Sequence, residues 1–575
     1  MKRIHNVKKT LALILAMMMV LTSTAFANWD QYQGDSSNTG KSDTGVTTKG
    51  SVTTVNLPNI GAWTGVDSEP LVYGSRVYAV YNGGTPKGKD GGARLACVDA
   101  NDASGKTMDP LWTVQLDGEA DNVSQISTPI IVNEKIMYTA LLHYENDLKG
   151  TGTEGWAGNA VSGGKFSFSS SKTTATYEGL VLKGARDDGY YQPQLVTDLM
   201  VTSGMEITGT ATLTNQATKN TYTLSASGYE GSNLTFYAPS ENAPLIPAGT
   251  YNLEVKITTN KDVSGSSMKF LTSRWALYEV AGINSTSDKD VTVVKICGGN
   301  GQPNTPIKRD GDHLYFGIYE GDRCYYQYNT ARKVLTPFTA ENGDDFYYAG
   351  AVVHDGKVYF GSESGKLYIC PQDNFAGGHA SEMDAKVAIR SSITLEPFKI
   401  SEILTGRHLY FTTLNGNLWR VRMEGDKVTD MVGLDLKLEK NIRHSTATPA
   451  ISGDYLYVTT YGSNPQTWAA VGTVKQVPKD FNSRTVPTQI YSGDGVQCSP
   501  VVYATPQGDY VYFTTNVSNG TGYCYSDASG KIWEVKSQNY ALQGFAMGTY
   551  YDEDEEDFFP FGVFGNDGNQ LTIIK

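Results

Sequence analysis

Ala447-Thr448-Pro449-Ala450-Ile451, a short polar turn and then Leu456-Tyr457-Val458 make the phrase whose repetition decides the fold. A small residue and a Pro open an apolar run, a turn follows, and a second apolar run carries Tyr. That is the pattern of two antiparallel strands. The phrase returns as Ser68-Glu69-Pro70-Leu71-Val72-Tyr73-Gly74 before Val77-Tyr78, and as Ser127-Thr128-Pro129-Ile130-Ile131-Val132-Asn133 before Ile136-Met137-Tyr138. It is found again as Asn304-Thr305-Pro306-Ile307 before Leu314-Tyr315-Phe316, and as Cys498-Ser499-Pro500-Val501-Val502 before Val511-Tyr512-Phe513. Looser copies are Ala349-Gly350-Ala351-Val352-Val353, Ser401-Glu402-Ile403-Leu404 and Phe545-Ala546-Met547-Gly548, each with its second run. The usual spacing of about 45 to 60 residues is that of propeller blades.

Working outward, a third strand follows a glycine or asparagine turn in most units, as in Gly416-Asn417-Leu418-Trp419-Arg420-Val421 and Asn569-Gln570-Leu571-Thr572-Ile573-Ile574. The last unit lacks a fourth strand, while residues 51-57 supply an unassigned one before the first unit. Joining the two would close a ring and leave no open sheet edge. One interval breaks the period: Pro129 to Pro306 is 177 residues, about 125 too many. The excess is rich in Thr, Ser and Gly with alternating strands, which predicts an inserted β-sandwich over 146-270. The expected organisation is a signal peptide 1-27, a propeller over 28-145 and 271-575, and the insert between them. The expected fold class is all-β, with eight blades or, if the weak last unit is not a blade, seven.

Composition agrees with many short strands. The 575 residues include 61 Gly and 36 Tyr, with 39% hydrophobic and only 19% charged residues, which argues against helical, disordered and fibrous classes. Lys2, Arg3, Lys8 and Lys9, the apolar run Leu11 to Val20 and the Ala25-Phe26-Ala27 site have the form of a cleaved secretory leader. Loss of those four basic residues takes the formal charge from -13 to -17. Such a balance argues against nucleic acid, whose phosphates need clustered Lys and Arg. No later run is long enough for a membrane helix, so a secreted, extracellular protein is expected, free or associated with the cell surface. Of the six cysteines, Cys97, Cys324, Cys370 and Cys524 fall inside strand-like runs and read as small buried apolar residues. Disulfides are the alternative, and the spacing selects no pairing.

The segment Asn28-Trp29-Asp30-Gln31-Tyr32-Gln33-Gly34-Asp35-Ser36-Ser37-Asn38-Thr39-Gly40 resembles the opening phrase of pyrroloquinoline-quinone-like (PQQ-like) β-propeller proteins. Leu95-Ala96-Cys97-Val98-Asp99-Ala100 with Ser104-Gly105-Lys106 and Leu111-Trp112-Thr113 is similar to that family's Trp docking motif, and Ser526-Asp527-Ala528-Ser529-Gly530-Lys531-Ile532-Trp533 is a shorter copy. The resemblance covers about 45-150 and 271-575 and implies the fold more than an activity, since the family holds dehydrogenases, an envelope assembly lipoprotein and binding proteins without cofactor. The family's alcohol dehydrogenases place a vicinal disulfide above the quinone. No two cysteines here are adjacent, so no cofactor is expected, PQQ with calcium included.

Segments entering each first strand feed the axis of a propeller. They carry Asp67, Glu69, Gln125, Arg443, His444, Gln497 and Gln543, which predicts either a polar ligand pocket on the axis or side chains that satisfy strand ends and channel water. In the insert, Trp156, Arg186, Tyr190, Tyr191 and Tyr237 could form a sugar platform, with core packing as the other reading. Asp187-Asp188 and the run 552-557 read as exposed turns or weak calcium sites. No H-E-x-x-H, G-x-S-x-G or phosphate loop occurs. The sequence therefore predicts a non-catalytic extracellular binding or scaffold protein whose partner is a glycan or an envelope protein. The alternatives are a funnel enzyme, either a quinone-dependent dehydrogenase or a polysaccharide hydrolase or lyase, and an envelope protein-assembly scaffold.

Overall fold

The computed structural model describes residues 28-60, 62-85, 92-116, 126-182, 193-237, 246-340, 343-399, 405-436, 442-464 and 466-575. The leader 1-27, Gln125, Arg186, Tyr190, Tyr191 and the pair Asp187-Asp188 lie outside these residues.

The protein is an all-β propeller. Among the described residues the strands form eight successive up-and-down units of four strands, the first running Leu71–Tyr73, Arg76–Thr85, Ala93–Asp99 and Trp112–Gln115, with Ala62–Gly65 added to the first sheet, Lys41–Ser42 to the seventh and insert strands to the second. The eighth takes its first three strands, Ala546–Asp552, Asp557–Asn566 and Gln570–Ile574, from the C-terminal end of the chain. Its fourth is Val52–Asn56, antiparallel to Gln570–Ile574 in the register Val52↔Ile574 to Asn56↔Gln570. One sequence-level unit is displaced. The first strand of the fifth sheet is Thr394–Lys399, paired to Thr405–Thr412, whereas residues 401-404, expected to open it, lie outside the described residues.

The apolar core lies between sheets rather than within them. Leu71, Cys97 and Trp112 of the first sheet pack with Met137, Leu141 and Ala276 of the second. Ile130 and Trp275 of the second pack with Leu314 and Phe316 of the third. The series continues until Tyr512 and Trp533 of the seventh share a cluster with Phe545 and Phe561 of the eighth and Val77 and Ala96 of the first. A core that passes from sheet to sheet and returns to its start is what makes the array a ring. The repeated Tyr follows from the same geometry: Tyr78, Tyr315, Tyr359, Tyr410, Tyr457 and Tyr512 are all fully buried. Most of their hydroxyls bond to the next unit, as Tyr78 donates to Ile283 O at 3.1 Å and Tyr457 to Asp509 Oδ2 at 2.7 Å. An apolar ring with a polar tip suits a gap that is dry inside and wet at its edge. The docking tryptophans tie the outer layer in the same way, with Trp112 Nε1 donating to Ser285 O at 2.8 Å and Trp533 Nε1 to Val46 O at 3.1 Å. All six cysteines are free thiols.

The extra residues leave the ring between the second and third strands of the second sheet. Those strands, Ile136–Asn146 and Met268–Ala281, pair over eleven positions from Ala281↔Ile136 to Leu271↔Asn146. The insert strand Gln194–Met200 adds to the same ladder at Gln194↔Leu271. The positions 146 and 270, expected as boundaries, thus fall within two strands shared by ring and insert. A separate three-stranded sheet, Val161–Ser162, Lys165–Phe168 and Val263–Gly265, packs on the larger one through a cluster that includes Phe166, Phe168, Tyr177 and Leu195.

Candidate functional site

Residues 29-42 do not sit at the edge of the ring but wind through its axis. Trp29 exchanges backbone hydrogen bonds with Val72 at 2.8 and 2.9 Å, and Ile131 N donates to Asp30 O at 2.9 Å. Lys308 Nζ donates to Tyr32 O at 3.1 Å and Asp35 O at 2.7 Å. Asn38 Nδ2 reaches Ala351 O and Ile393 O at 3.0 and 2.8 Å. Leu395, Ile451 and Val502 then donate their N–H groups to Ser37, Thr39 and Gly40. Seven of the eight sheets are bonded to this one segment. Gly34, at φ 76°, makes the winding possible: a Cβ there would stand 2.6 Å from the Trp29 ring.

This plug buries charge. Glu69 is 1% exposed, and one carboxylate oxygen accepts from Trp29 Nε1 at 2.8 Å and from Gln33 N at 3.2 Å. Burial pushes its carboxyl up to about 7 against those bonds. Lys308, also 1% exposed, is pushed down to about 8 by burial while Asp35, Asp30 and Glu69 hold it up. Above the plug lies a cavity of about 50 Å³ lined by residues that include Tyr32, Thr128, Tyr348, Thr446, Gln497 and Gln543, room for a few waters.

Over that cavity the loops gather round the axis at one end of the ring, and the space they frame is called the funnel below. Each of its residues enters a first strand or joins a second strand to a third, and an up-and-down sheet puts both kinds of loop at one end. Asp67 and Asp567 come together there, each carboxyl acting on the other. Burial, then the neighbouring Asp567 carboxyl, push Asp67 up to about 7. Gln543 Nε2 donates to Asp67 O at 2.7 Å, and Asn516 Nδ2 to Gln497 Oε1 at 3.0 Å. Across the axis, Glu320 N donates to Asp345 Oδ1 at 2.7 Å. Burial and the Asp345 charge raise Glu320 to about 9, and burial raises Asp345 to about 7. Arg390 makes a two-pronged pair with Glu363 at 2.9 and 2.7 Å and lies 4.6 Å over the Tyr347 ring. Tyr347 in turn is 4.5 Å from Tyr319 and 4.4 Å from Tyr348 between ring centres. Glu320, Arg323 and Tyr348 all hold left-handed φ, at 56°, 48° and 57°. Strain of this kind collects where a surface is shaped for a ligand.

The structure divides the expected axial residues. Asp67, Gln497 and Gln543 face the funnel or its cavity, and Glu69 lies beneath in the plug. Arg443 and His444 are exposed at the rim, where His444 Nδ1 is 3.0 Å from Leu414 O. The cations at the centre are instead Arg390 and Lys308. In the insert, Trp156 is a core residue, with Phe166 and Tyr177 at 5.4 and 5.5 Å, so its face is not offered to a sugar. Tyr237 is 43% exposed at the end of its strand. The run 552-557 is an exposed hairpin. The sequence missed Asp345, Glu363, Arg390, Tyr347 and Asp567. They lie between recognisable strands, in loops that carry no repeat, and only ring closure brings Asp567 to Asp67.

Residues 29-42 fill the axis, and the cavity above them, which Cys498 also lines, has room for only a few waters. Among the described residues no group of three metal-binding side chains is found.

No known protein family and no curated protein sequence matches the chain. Among solved structures, BamB from Moraxella catarrhalis is similar at 10% identity with a TM-score of 0.32, over 53% of this chain and 79% of that one. A quinohemoprotein alcohol dehydrogenase from Comamonas testosteroni is similar at 8% identity with a TM-score of 0.44, over 95% of this chain and 80% of that one. The computationally designed Ika8 protein is similar at 10% identity with a TM-score of 0.31, over 69% and 99%.

Proposed function

We propose that the protein is a secreted, non-catalytic binding protein, an eight-bladed PQQ-like propeller whose axial funnel takes a hydroxyl-rich ligand of the glycan class. The observation that carries this reading is the funnel itself. Half-buried carboxyls raised toward neutral pH both donate and accept hydrogen bonds, amides stand beside them, and the Tyr319-Tyr347-Tyr348 cluster adds phenol hydroxyls. The plug beneath gives that surface a fixed floor, so the ligand binds from one end. The formal charge of -17 without the leader supports an uncharged partner over an anionic one.

Titration calorimetry of residues 28-575 with a panel of neutral oligosaccharides tests the reading. Binding is expected, weakened about tenfold by Tyr347→Ala, a loss of about 1.4 kcal/mol. A folded protein that binds none of the panel overturns it.

A second reading is favoured by the Asp67 and Asp567 pair, in which the raised Asp67 keeps its proton beside the other carboxyl. Glycoside hydrolysis likewise works with a pair of carboxyls of which one is held protonated. Product release in the same mixtures, abolished by Asp567→Asn, would establish an enzyme.

A further inference from the structure

The second and third strands of the sixth sheet, Tyr455–Ser463 and Ala470–Pro478, extend past the funnel as a hairpin. Tyr461 stands in the funnel wall, under the influence of Arg390 and Tyr347, and pairs with Gly472 across the hairpin. Seven residues further on, at the turn, is Trp468. It is 82% exposed, the most exposed large apolar side chain among the described residues. Its backbone holds φ 58°, a conformation that a bulky side chain disfavours. The turn fixes it there. Asn464 Oδ1 accepts from Gln466 N at 2.9 Å and Thr467 N at 3.2 Å, Trp468 N donates to Asn464 O at 2.7 Å, and Asn464 N donates to Ala469 O at 2.8 Å. A left-handed backbone and a solvated indole are each unfavourable alone, and a tight polar turn at this tip would form as well with Gly. The hairpin is the continuation of the funnel wall, at roughly 3.3 Å of rise per residue, so the indole stands about one or two sugar units from Tyr461.

We infer that Trp468 is a rim subsite that stacks on a pyranose ring of an oligosaccharide chain leading out of the funnel, so that the protein recognises extended chains rather than single sugars. The inference rests on the glycan reading of the funnel and adds its chain-length preference. An aromatic face meets the C–H face of a sugar, while the funnel amides and carboxyls meet the hydroxyls of the units further in. The funnel rings Tyr319, Tyr347 and Tyr348 are packed on one another; Trp468 contributes a ring face open to solvent.

The test is calorimetric affinity of residues 28-575, native and Trp468→Ala, for a disaccharide and a hexasaccharide of the same bound glycan. The native protein should prefer the hexasaccharide by about tenfold or more, and Trp468→Ala should remove that preference while leaving disaccharide affinity and melting temperature unchanged. Trp468→Phe should restore most of it. Equal hexasaccharide affinity in native and Trp468→Ala proteins overturns the subsite and leaves the funnel reading standing. Failure of the native protein to bind any glycan overturns both.

Discussion

In the ring, Ile369 of the fourth sheet is covered by Leu409 and Val421 of the fifth, so each sheet completes the core of its neighbour. In the insert, Phe166, Tyr177, Leu195, Phe236 and Phe270 are covered by one another. The core of the ring thus runs on from sheet to sheet, while the insert has a core of its own and joins the ring through backbone ladders, side-chain hydrogen bonds and a latch. That latch is Arg274, 8% exposed, between Glu145 at 3.4 Å and Asp147 at 3.3 Å. The two regions also treat acids oppositely. The ring axis buries carboxyls away from water, whereas the insert holds Asp198 at its surface by four short hydrogen bonds. Function is expected in the region that stores the strain.

The sharpest way to break this contrast is to empty the plug. Trp29 is 2% exposed, packs in the cluster that closes the ring and donates to Glu69. Trp29→Ala leaves a large void and a buried carboxyl without its donor, and should cost about 3–5 kcal/mol. Urea unfolding with region-resolved amide exchange should show the loss across all eight sheets, with the insert strands unaffected. Loosening confined to the first sheet would mean that the ring is not one cooperative unit.

That separation was partly legible in the chain. The strand pairs were, because each is a local pattern of apolar alternation and turn residues, and the break from Pro129 to Pro306 exposed the insert. The plug was not, since 28-40 has no strand periodicity and its order comes from bonds to seven distant sheets. The funnel was half legible. Asp67 and Gln543 stand just before a strand phrase, but the Tyr319-Tyr347-Tyr348 cluster and Arg390 occupy loops whose neighbours only the closed ring defines. Trp156 was misplaced for the opposite reason: an aromatic in an alternating β segment has the same local pattern whether it faces core or solvent.

Glu69 moves from its ordinary 4.5 to about 7 on folding, so the native ring binds a proton that the unfolded chain releases. The stabilisation is complete below about pH 4.5 and is lost as pH rises through about 7. Asp67, Asp345 and Glu320 act in the same direction. Ring stability should fall between pH 5 and pH 8. Glu69→Gln keeps an oxygen for Trp29 and Gln33, so it should be neutral at pH 4.5 and stabilising by up to about 3 kcal/mol at pH 8. A ring whose urea midpoint is flat with pH would show that the axis is wet.

The insert should respond with the opposite sign and more weakly. Burial raises the Asp198 carboxyl, but the N–H groups of Ser266 and Ser267 outweigh it, and the group lies below its ordinary 3.8. Its contribution is present above that value and lost as pH falls through the lower folded value. The clamp depends on close approach, since a Cβ on Gly265 would stand 2.1 Å from Asp198 Oδ1. Asp198→Asn turns an amide N–H toward the Ser266 N–H and should cost the insert about 1–2 kcal/mol at pH 7, with amide exchange quickened in Gln194–Met200 and Val263–Gly265. Gly265→Ala should do the same by displacement. As pH falls below 3.8 the native and Asp198→Asn proteins should draw together, because the unfolded chain then takes up a proton that the clamped carboxylate resists. A difference that persists undiminished at acid pH would assign the loss to the shape of the turn rather than to the charge, and the electrostatic half of the contrast between ring and insert would fall with it.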